Sequence, residues 1–507
     1  MESTDIIIIG AGVGGLSAAA YLAQAGRKVV VLEQEHHIGG TAHVFERGGF
    51  VFPTGPKSVT MPAHILDYLC ELGVEELPCF ARDSFQVRRG AMDVMISAPL
   101  HEIKEQLLEF FPGEQDGILT VFNVLEEVMA TLDVIKPEDL TITTESPTLA
   151  ESWDAVSAEE FMDSHLHDER LKDLLGSQGT SEPEMSVALL ARMWYFMSKK
   201  GIWYPGGGIC KIPELLAMRV RAFGGEIRLG ERVEHIMVHR GTATGVELSG
   251  GAKIKSDHVI SNADYKETIF DLLPHNSITA NRQEAISRMP LTSSNFTIFL
   301  GVKSERLDLS AIRGHHLIVK LMEGKPVPWE LKRPRIEDFL QDEIWLSLWS
   351  KHDPGLAPPG CEALIINVTA PFEHFASLEG SGRCHEQYHS MKEKMADALV
   401  AAASRVVPGL SRAVVVREVA TPLTYKDLGH RSNGSVAGWS WRFGDHSGPM
   451  AQSLAITPVR GLLMVGMQSF TSLFYGGMGT ALYSGRYAAA IVLSETCVHE
   501  RDKLRGE

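Results

Sequence analysis

The sequence predicts an α/β fold that opens with a Rossmann-like unit of strand, glycine-rich turn, helix and strand. The observations that predict it lie in DIIIIGAGVGGLSAAAYLAQAGRKVVVLEQ, residues 5–34. A β-branched run, Ile6–Ile9, is followed by glycines in the G-x-G-x-x-G spacing and then by apolar residues at helical intervals. A second strand, residues 28–32, ends at the acidic residue Glu33. These features in this order are typical of a dinucleotide-binding fold.

A membrane anchor or a secretion signal is the alternative for this stretch, because residues 6–23 carry no charge. The preceding residues Glu2 and Asp5 are acidic, whereas a signal peptide needs basic residues before its apolar core. Each glycine would also cost a helix about 1 kcal/mol relative to alanine. A glycine-rich buried hairpin is the remaining interpretation, and the strand, glycines, helix, second strand and acid together disfavour it.

Each glycine of the fingerprint has its own predicted role. Gly10 permits the tight turn out of the strand, Gly12 lets the backbone approach a pyrophosphate, and Gly15 lets the helix lie close to the sheet. The helix N-terminus then presents N–H groups and partial positive charge to the phosphates. The Glu33 carboxylate can accept hydrogen bonds from a ribose diol and disfavours a 2′-phosphate, so NADP is not expected at this site.

Length, composition and charge limit the other possibilities. A chain of 507 residues suggests two or three domains, and 44% hydrophobic with 22% charged residues is the composition of an ordinary soluble enzyme. The net charge of −16 disfavours nucleic acid as a partner. The six cysteines show neither C-x-x-C pairing nor zinc-ligand spacing with histidine, so we expect no metal and a reducing, cytoplasmic compartment.

Further glycine turns follow the acidic residue, at Gly39-Gly40 and, after the strand-like segment GGFVF, at Gly55-Pro56. The fingerprint with E-x(5)-G-G, an aromatic strand and G-P resembles the FAD-binding signature of the phytoene desaturase, carotenoid isomerase and retinol saturase superfamily. That superfamily is related to the flavin amine oxidases. The resemblance implies FAD as the cofactor and a Rossmann-like FAD-binding domain of the glutathione reductase type. It also implies a discontinuous α+β substrate domain.

The resemblance continues along the chain in family order. Residues 201–236 resemble the segment that touches the adenine side of FAD, which implies backbone contacts from Val233. Residues 256–264 resemble the return to the cofactor domain. Residues 347–360 and 421–439 resemble substrate-domain and domain-junction segments.

Residues 461–489, GLLMVGMQSFTSLFYGGMGTALYSGRYAA, resemble the closing FAD motif of the family. The resemblance implies that Gly476, Gly477 and Met478 lie beside the pyrimidine edge of the flavin, where helix amides stabilise the reduced ring. The complete set of implied FAD-binding residues is Gly10, Gly12, Gly14, Gly15, Glu33, Gln34, Gly39, Gly40, Thr41, Gly55, Pro56, Val233, Gly466, Met467, Gly476, Gly477 and Met478.

The chain also departs from the family pattern. Pro53 stands where family members usually carry an aspartate, and Met467-Gln468 stands where an acidic residue or an alanine is common. We expect backbone contacts or Gln468 to replace a carboxylate bound to the ribityl chain. His43 stands close to a histidine of the retinol saturase relatives, which implies a catalytic position facing the flavin or the substrate. A structural histidine is the alternative.

The resemblance divides the chain into an FAD-binding domain of residues 1–80, 200–270 and 415–495, a substrate-binding domain of 81–199 and 271–414, and a C-terminal tail of 496–507. An apolar helical stripe is interpreted as core-facing, with a tunnel wall or a membrane surface as the alternative; it comprises Leu107, Leu108, Phe111, Ile118, Val121, Phe122, Leu125 and Met129. Aromatic side chains suit a polyene or a hydrophobic core, and the candidates for lining the substrate site are Trp194, Phe196, Trp203, Tyr204, Tyr425 and Trp439.

The sequence contains no G-x-S-x-G, H-E-x-x-H or P-loop motif and no second fingerprint for a nicotinamide. This absence fits chemistry done by the flavin itself. The resemblance, together with the apolar middle of the chain, implies an FAD-dependent oxidoreductase that desaturates, saturates or isomerises a hydrophobic isoprenoid or polyene by hydride transfer with flavin N5. The alternatives are an amine or amino-acid oxidase, with an aromatic pair drawn from Tyr425, Trp439 and Trp441, and a non-catalytic flavin-binding scaffold. The expected partner is a hydrophobic small molecule, and peripheral membrane contact stays open. The sequence indicates neither the electron partner nor the oligomeric state.

Overall fold

The computed structural model describes residues 2–132, 149–177, 185–320, 343–376, 378, 386–444, 453–471 and 476–505. The strands in chain order are β1 (Glu2–Ser3), β2 (Ile6–Ile9), β3 (Val29–Glu33), β4 (Val44–Arg47), β5 (Phe50–Pro53), β6 (Val59–Thr60), β7 (Phe80–Arg82), β8 (Phe85–Arg89), β9 (Met92–Met95), β10 (Ile202–Pro205), β11 (Glu226–Leu229), β12 (Val233–His239), β13 (Thr242–Leu248), β14 (Lys253–Lys255), β15 (His258–Ser261), β16 (Ser294–Lys303), β17 (His316–Lys320), β18 (Glu343–Leu348), β19 (Cys361–Ala370), β20 (Val414–Ala420) and β21 (Leu462–Met464). The α-helices are α1 (Val13–Gln24), α2 (Pro62–Glu71), α3 (Leu100–Phe110), α4 (Gln115–Leu132), α5 (Leu149–Asp154), α6 (Ala158–His165), α7 (Glu169–Ser177), α8 (Val187–Trp194), α9 (Lys211–Ala222), α10 (Tyr265–Glu267), α11 (Ala280–Arg288), α12 (Glu373–Ala376), α13 (Glu386–Ala403), α14 (Leu410–Ala413), α15 (Pro422–Gly429) and α16 (Gly476–Arg505).

Five parallel strands form the nucleotide-binding sheet, in the order β11-β3-β2-β15-β21. β2 and β3 are buried along their whole length, as parallel strands covered on both faces usually are. The chain passes from β2 to β3 through α1, which confirms the predicted unit of strand, turn, helix and strand. β3 begins at Val29, one residue later than predicted, because Lys28 is exposed and its amide donates to the Asp5 carboxylate at 3.0 Å.

The first and last helices pack against each other and bring distant parts of the chain together. The Ser17 hydroxyl of α1 donates to the Leu482 carbonyl of α16 at 2.9 Å. Gly485 permits this close approach, since a Cβ there would lie 2.5 Å from the Gly14 carbonyl oxygen. The uncharged stretch of residues 6–23 therefore forms β2, the glycine turn and most of α1.

Helix α16 continues to Arg505, so the predicted tail of residues 496–507 is helical as far as that residue. Among the helices of the described ranges, none combines the length and apolar character needed to cross a bilayer.

A four-stranded sheet, β1-β14-β13-β12, packs on the parallel sheet. Val233 and Ile236 of β12 share a core cluster with Ile7 of β2 and Val30 of β3. This packing holds the start of β12 next to the ends of the parallel strands.

A seven-stranded mixed sheet, β20-β16-β19-β18-β17-β8-β9, forms the second large layer. Its β17 and β8 are parallel, and the other neighbouring strands are antiparallel. β20 belongs to this sheet, although the predicted FAD-binding segment begins at residue 415. The chain returns to the parallel sheet only at β21. A second boundary, predicted between residues 80 and 81, falls inside β7, which pairs with β10.

A helical layer formed by α3, α4, α6, α7 and α8 packs on one end of this sheet. All members of the apolar stripe pack in its core cluster, most of them with side chains fully removed from solvent. None of them is among the described residues that line the cavity presented below. The geometry therefore favours the core-facing interpretation of the stripe over a tunnel wall.

Candidate active site

The glycine-rich turn between β2 and α1 is shaped by steric contacts that only glycine tolerates. Gly10 has a φ of +90°, which suits the tight turn out of the strand. A Cβ on Gly15 would lie 2.2 Å from the Gly10 carbonyl oxygen, and a Cβ on Gly12 would lie 2.4 Å from Nδ2 of Asn262. Only glycine fits at position 12, partly because the Asn262 side chain lies so close. Asn262 follows β15 and was not predicted as a site residue.

Glu33 ends β3 with a buried carboxylate that is held by the backbone. Its Oε2 accepts a hydrogen bond from the Ala11 amide at 2.7 Å, and its Oε1 accepts one from the Glu35 amide at 2.9 Å. Each carboxylate oxygen can accept more than one hydrogen bond, so contact with a ribose diol stays compatible with this geometry. The ribose contact itself stays a prediction.

The second glycine turn lies against the first. The Gly39 amide donates to the Ala11 carbonyl at 2.8 Å, and a Cβ on Gly40 would lie 3.4 Å from the Cα of Gly12. Gly55 is equally confined, because its Cβ would lie 2.5 Å from the Thr41 carbonyl oxygen. Three backbone turns thus approach one another closely enough to form a cradle without side chains.

The C-terminal motif joins the same cradle. A Cβ on Gly14 would lie 2.6 Å from the Gly466 nitrogen, whose N–H donates to the Ser484 hydroxyl at 2.8 Å. The predicted Gly-Gly turn forms the N-terminus of α16, where Gly476 has a φ of +68°. Its Cβ would lie 2.5 Å from the Thr60 hydroxyl, so the turn packs on β6.

One cavity of about 1170 Å³ unites these elements. Most of the predicted cofactor-binding residues line it, namely Gly10, Gly12, Gly14, Glu33, Gln34, Gly39, Gly40, Thr41, Gly55, Pro56, Val233, Gly466, Met467, Gly476, Gly477 and Met478. Gly15 is not among the described lining residues, because it lies beneath the turn against the Gly10 carbonyl. Residues from opposite ends of the chain therefore share one cavity.

The predicted substrate-lining residues divide into two groups. Phe196 and Tyr425 line the cavity. Trp194, Trp203, Tyr204 and Trp439 are not among its described lining residues. The structure therefore corrects the prediction that these four side chains line the substrate site.

These four aromatic side chains contact other groups of the protein. The indole N–H groups of Trp194, Trp203 and Trp439 donate to the carbonyl oxygens of Leu175, Lys200 and Gln468 at 3.0, 3.0 and 2.9 Å. Tyr204 stacks on the ring of His352, with centroids 4.4 Å apart. Trp194 and Trp439 are buried in core clusters, whereas Trp203 is half-buried against one.

His43 is also not among the described residues that line the cavity. Its ring stacks on His37, with centroids 3.9 Å apart, and His37 is the residue that lines the cavity. Burial lowers the pKa of His43, and the neighbouring His37 lowers it further. The placement favours the structural alternative for His43.

A polar group that the sequence did not indicate follows β15. Asp264 caps α10 by accepting from the amides of Lys266 and Glu267, and it also accepts from the Ser432 hydroxyl at 2.6 Å. Gln468 donates to the same carboxylate at 3.1 Å and accepts from the Tyr265 amide at 2.8 Å. Gln468 thus binds protein groups with both ends of its amide. The available signal was the position of SNAD at the carboxyl end of a parallel strand, where such sheets bind ligands.

Apolar side chains form the other arm of the cavity. A π-helical turn, Tyr195–Lys200, continues α8, and such turns often occur at functional sites. The two segments together present Leu189, Met193, Phe196 and Met197 to the cavity. Trp345 of β18 lines the same arm.

Polar side chains also line the cavity, among them Asp154, Arg192, Asn295, Lys57 and Tyr425. The Lys57 ammonium lies 5.8 Å from the centroid of the Trp345 ring, and burial lowers its pKa to about 8. The Tyr425 hydroxyl lies 2.8 Å from that of Thr297, which donates in turn to Asn367 at 2.5 Å. Burial raises the pKa of Tyr425 to about 12, so this side chain is neutral at physiological pH.

A glycine cradle that is continuous with an apolar arm suits a dinucleotide cofactor beside a hydrophobic substrate, as in a flavoprotein oxidoreductase. The family model for "Flavin containing amine oxidoreductase" matches residues 13–493, and the chain belongs to this family. The predicted superfamily resemblance, the α/β fold class, the enzyme class and FAD as cofactor are thereby confirmed.

Individual relatives and solved structures agree with this assignment. The chain is 26% identical to a chloroplastic prolycopene isomerase of Daucus carota, covering 98% of this chain and 79% of the relative. It is 26% identical to a lycopene-forming phytoene desaturase of Pseudescherichia vulneris, covering 83% and 86%. Its fold is similar to that of an oxidoreductase from Methanosarcina mazei, with a TM-score of 0.64, 18% identity and coverage of 95% and 99%. It is also similar to putrescine oxidase, with a TM-score of 0.64, 15% identity and coverage of 97% and 99%.

The residues present fit FAD. Gly12, Gly14 and Gly40 line the cavity with main chain alone, and the N-termini of α1 and α16 both reach it. The first N–H groups of a helix have no intrahelical partner and carry partial positive charge, which suits phosphates and an electron-rich ring. The main chain at these helix ends would hold the cofactor, together with Glu33.

Proposed function

We propose that the protein uses FAD to add, remove or relocate a C=C bond in a hydrophobic isoprenoid or polyene. The observation that carries this proposal is the continuity of the glycine cradle with the apolar arm in one cavity. The similarity to a prolycopene isomerase and a phytoene desaturase over most of the chain supports it.

The apolar arm suits a substrate without polar handles. Met193, Phe196 and Met197 offer flexible and aromatic surface, and such surface binds a polyene by contact area and shape. The polar side chains nearby have defined partners in Thr297 and Asn367, and Lys57 lies over the Trp345 ring. Asp154 and Arg192 line the same cavity, so the apolar surface is continuous with a charged part of the wall.

The protein's own part in the reaction is positioning and electrostatics. When bound, FAD supplies the hydride acceptor or donor. The N-terminal amides of α16 reach the cavity at Gly476, Gly477 and Met478, where their partial positive charge stabilises developing negative charge. Apolar residues of the arm exclude water from the same space.

The cavity also offers a surface for peripheral contact with a membrane. Leu428, Val436 and Phe443 line the cavity, yet 60%, 36% and 41% of their surface is exposed. Exposed apolar side chains at a cavity rim suit contact with lipid, from which a hydrophobic substrate would enter. We include this contact in the proposal.

Anaerobic mixing tests the reaction. The FAD-loaded protein is combined with polyenes of several chain lengths, and the flavin absorbance and the isomer composition are followed. With oxidised flavin we expect bleaching with a desaturated product, or an isomerised product, from at least one polyene; with chemically reduced flavin we expect a saturated or isomerised product. Peroxide formation with amines in a parallel assay in air-saturated buffer, and no change with any polyene, would instead support the amine oxidase alternative.

A further inference from the structure

A buried cluster of one carboxylate and three imidazoles lies outside the cavity lining. It consists of Asp83, which precedes β8, His315 and His316 at the start of β17, and His352, which follows β18. The side chains of Asp83, His316 and His352 are 0–1% exposed, and that of His315 is 20% exposed. Three separate segments of the chain are therefore needed to assemble it.

All three imidazoles approach the same carboxylate oxygen. Asp83 Oδ1 lies 3.2 Å from Nε2 of His316, 3.3 Å from Nε2 of His352 and 3.4 Å from Nδ1 of His315. The ligand atoms of Asp83, His315 and His352 all lie within 4.8 Å of one another. For a tetrahedral metal bound at about 2.0–2.2 Å, neighbouring ligand atoms are separated by roughly 3.3–3.5 Å.

Most of these atoms lack a well-aligned hydrogen bond. Within the described part of the chain, both Asp83 oxygens and the Nε2 atoms of His316 and His352 have no partner of good hydrogen-bond geometry, and the 3.2 Å contact between His316 and Asp83 comes nearest to one. No lysine or arginine of the described residues forms an ion pair with Asp83. Buried polar groups are almost always hydrogen-bonded, and a buried carboxylate needs a compensating charge. A cation at this point would satisfy both requirements.

The surroundings hold the rings in place. Nδ1 of His316 lies 2.8 Å from the Ser347 hydroxyl, which directs Nε2 toward Asp83. A histidine in this relation to a ligating carboxylate orients it. Ser84 Oγ lies 2.7 Å from Nδ1 of His315; coordination through Nε2 would keep this contact, and coordination through Nδ1 would replace it.

We propose that Asp83, His315 and His352 bind one divalent transition-metal ion, with His316 positioning the carboxylate. Nitrogen and carboxylate donors in this number suit Zn²⁺ or Fe²⁺ and not Ca²⁺ or Mg²⁺, which prefer oxygen ligands. The partly exposed edge at His315 leaves room for water as a further ligand.

The ion would tie the strands behind the cavity wall. The Asp83 amide donates to the carbonyl of Ile202, which lines the cavity, at 2.7 Å. The Phe85 ring stacks on the His316 ring, with centroids 4.4 Å apart. It meets the Trp345 ring edge to face, with centroids 6.0 Å apart. Metal binding would therefore stabilise the apolar arm without reaching it.

The test begins with tag-free, FAD-loaded protein that has been stripped with a chelator. Zn²⁺ alone and then Co²⁺ alone are added, excess metal is removed, and the bound metal is measured by mass spectrometry. We expect one ion per chain, a melting temperature several degrees higher, and visible Co²⁺ absorption bands of a four- or five-coordinate site. Less than one-tenth of an ion per chain with both metals would overturn the proposal.

Variants locate the site. Asp83→Asn and His352→Gln should weaken Co²⁺ binding at least 100-fold, and His316→Gln about 10-fold, as for an orienting partner. His374→Gln, which removes a buried imidazole elsewhere, should leave metal affinity unchanged. Undiminished binding in His352→Gln would refute the assignment. If a variant does not fold, the Co²⁺ spectrum and stoichiometry of the wild-type protein decide alone.

Discussion

Gly14 and Gly466 are in main-chain contact, because a Cβ on Gly14 would lie 2.6 Å from the Gly466 nitrogen. The same Cβ would lie 2.7 Å from Oδ1 of Asn262, and a Cβ on Gly466 would lie 2.9 Å from that atom. The N-terminal turn, the end of β15 and the C-terminal motif therefore meet around one amide side chain. The FAD cradle depends on this contact.

Gly14→Ala should destabilise the protein by about 1–3 kcal/mol, because the new methyl group meets backbone that cannot move aside. Urea unfolding of the two forms measures the difference. Gly113→Ala is the matched control, since a Cβ at Gly113 meets nothing within 4 Å. Equal stability of Gly14→Ala and the wild type would show that the contact is looser than the structure indicates.

Glu33→Ala should weaken FAD binding by roughly 10- to 100-fold, since hydrogen bonds to a charged group contribute about 1.5–3 kcal/mol. It should also lower stability, because the amides of Ala11 and Glu35 lose their acceptor. Flavin fluorescence titration measures the affinity, and Glu46→Ala, at an exposed position of β4, is the control. An unchanged dissociation constant would exclude the ribose assignment.

Lys57 should make the folded protein more stable as the pH rises from about 8 toward 10.5. Burial lowers its pKa to about 8, so between these values the unfolded chain binds a proton that the folded protein does not bind. Denaturant unfolding of wild type and Lys57→Met at pH 7.5, 8.5 and 9.5 isolates this contribution by difference. The free energy of unfolding should rise less with pH in Lys57→Met than in the wild type. The same dependence of this free energy on pH in both proteins would contradict the buried placement of the ammonium.

Trp194→Ala should chiefly lower the stability of the protein, whereas Phe196→Ala should chiefly weaken polyene binding, although the two residues are close in sequence. Trp194 is completely buried in the helical core, so its truncation should cost about 3–5 kcal/mol of stability. Phe196 lines the cavity, so its truncation should chiefly weaken polyene binding. Thermal unfolding and substrate titration of both variants distinguish the two roles. A larger loss of stability in Phe196→Ala than in Trp194→Ala would reverse them.

Leu428→Ser combined with Phe443→Ser should reduce binding to vesicles of phosphatidylcholine. Burying each apolar side chain contributes about 1–2 kcal/mol at partial insertion, so we expect a reduction of at least tenfold. Neutral lipid is chosen because the net charge of −16 repels anionic surfaces. Met218→Ser, at an apolar side chain that is 48% exposed elsewhere, is the control for cosedimentation. Equal loss in both variants would argue against the cavity rim as the docking surface.

The side chains that the sequence predicted to line a substrate site divide into two groups in the structure. Phe196 and Tyr425 reach the cavity, whereas Trp194, Trp203, Tyr204 and Trp439 do not. Residue type indicates that a side chain is buried, but a core and a greasy cavity select the same types. The direction of each side chain depends on how its helix or strand packs, which a single segment does not encode.

The Asp83 cluster also could not be predicted from local sequence. The sequence predicted no metal, because the six cysteines show neither C-x-x-C pairing nor zinc-ligand spacing with histidine. The pairing of β17 with β8 and with β18 brings His315, His316 and His352 to Asp83. Contacts between residues more than 200 positions apart are a property of the sheet order.

The sequence by itself determined the glycine turns of the cradle, because their requirements are local. A turn that must come within van der Waals distance of other backbone allows only glycine, and glycines in a fixed spacing after a strand can be read directly. The tertiary structure alone decided which aromatic side chains face the cavity, which partner makes Gly12 obligatory, and where Asp83 meets its histidines. These features depend on packing between distant segments, and no local pattern of residues specifies that packing.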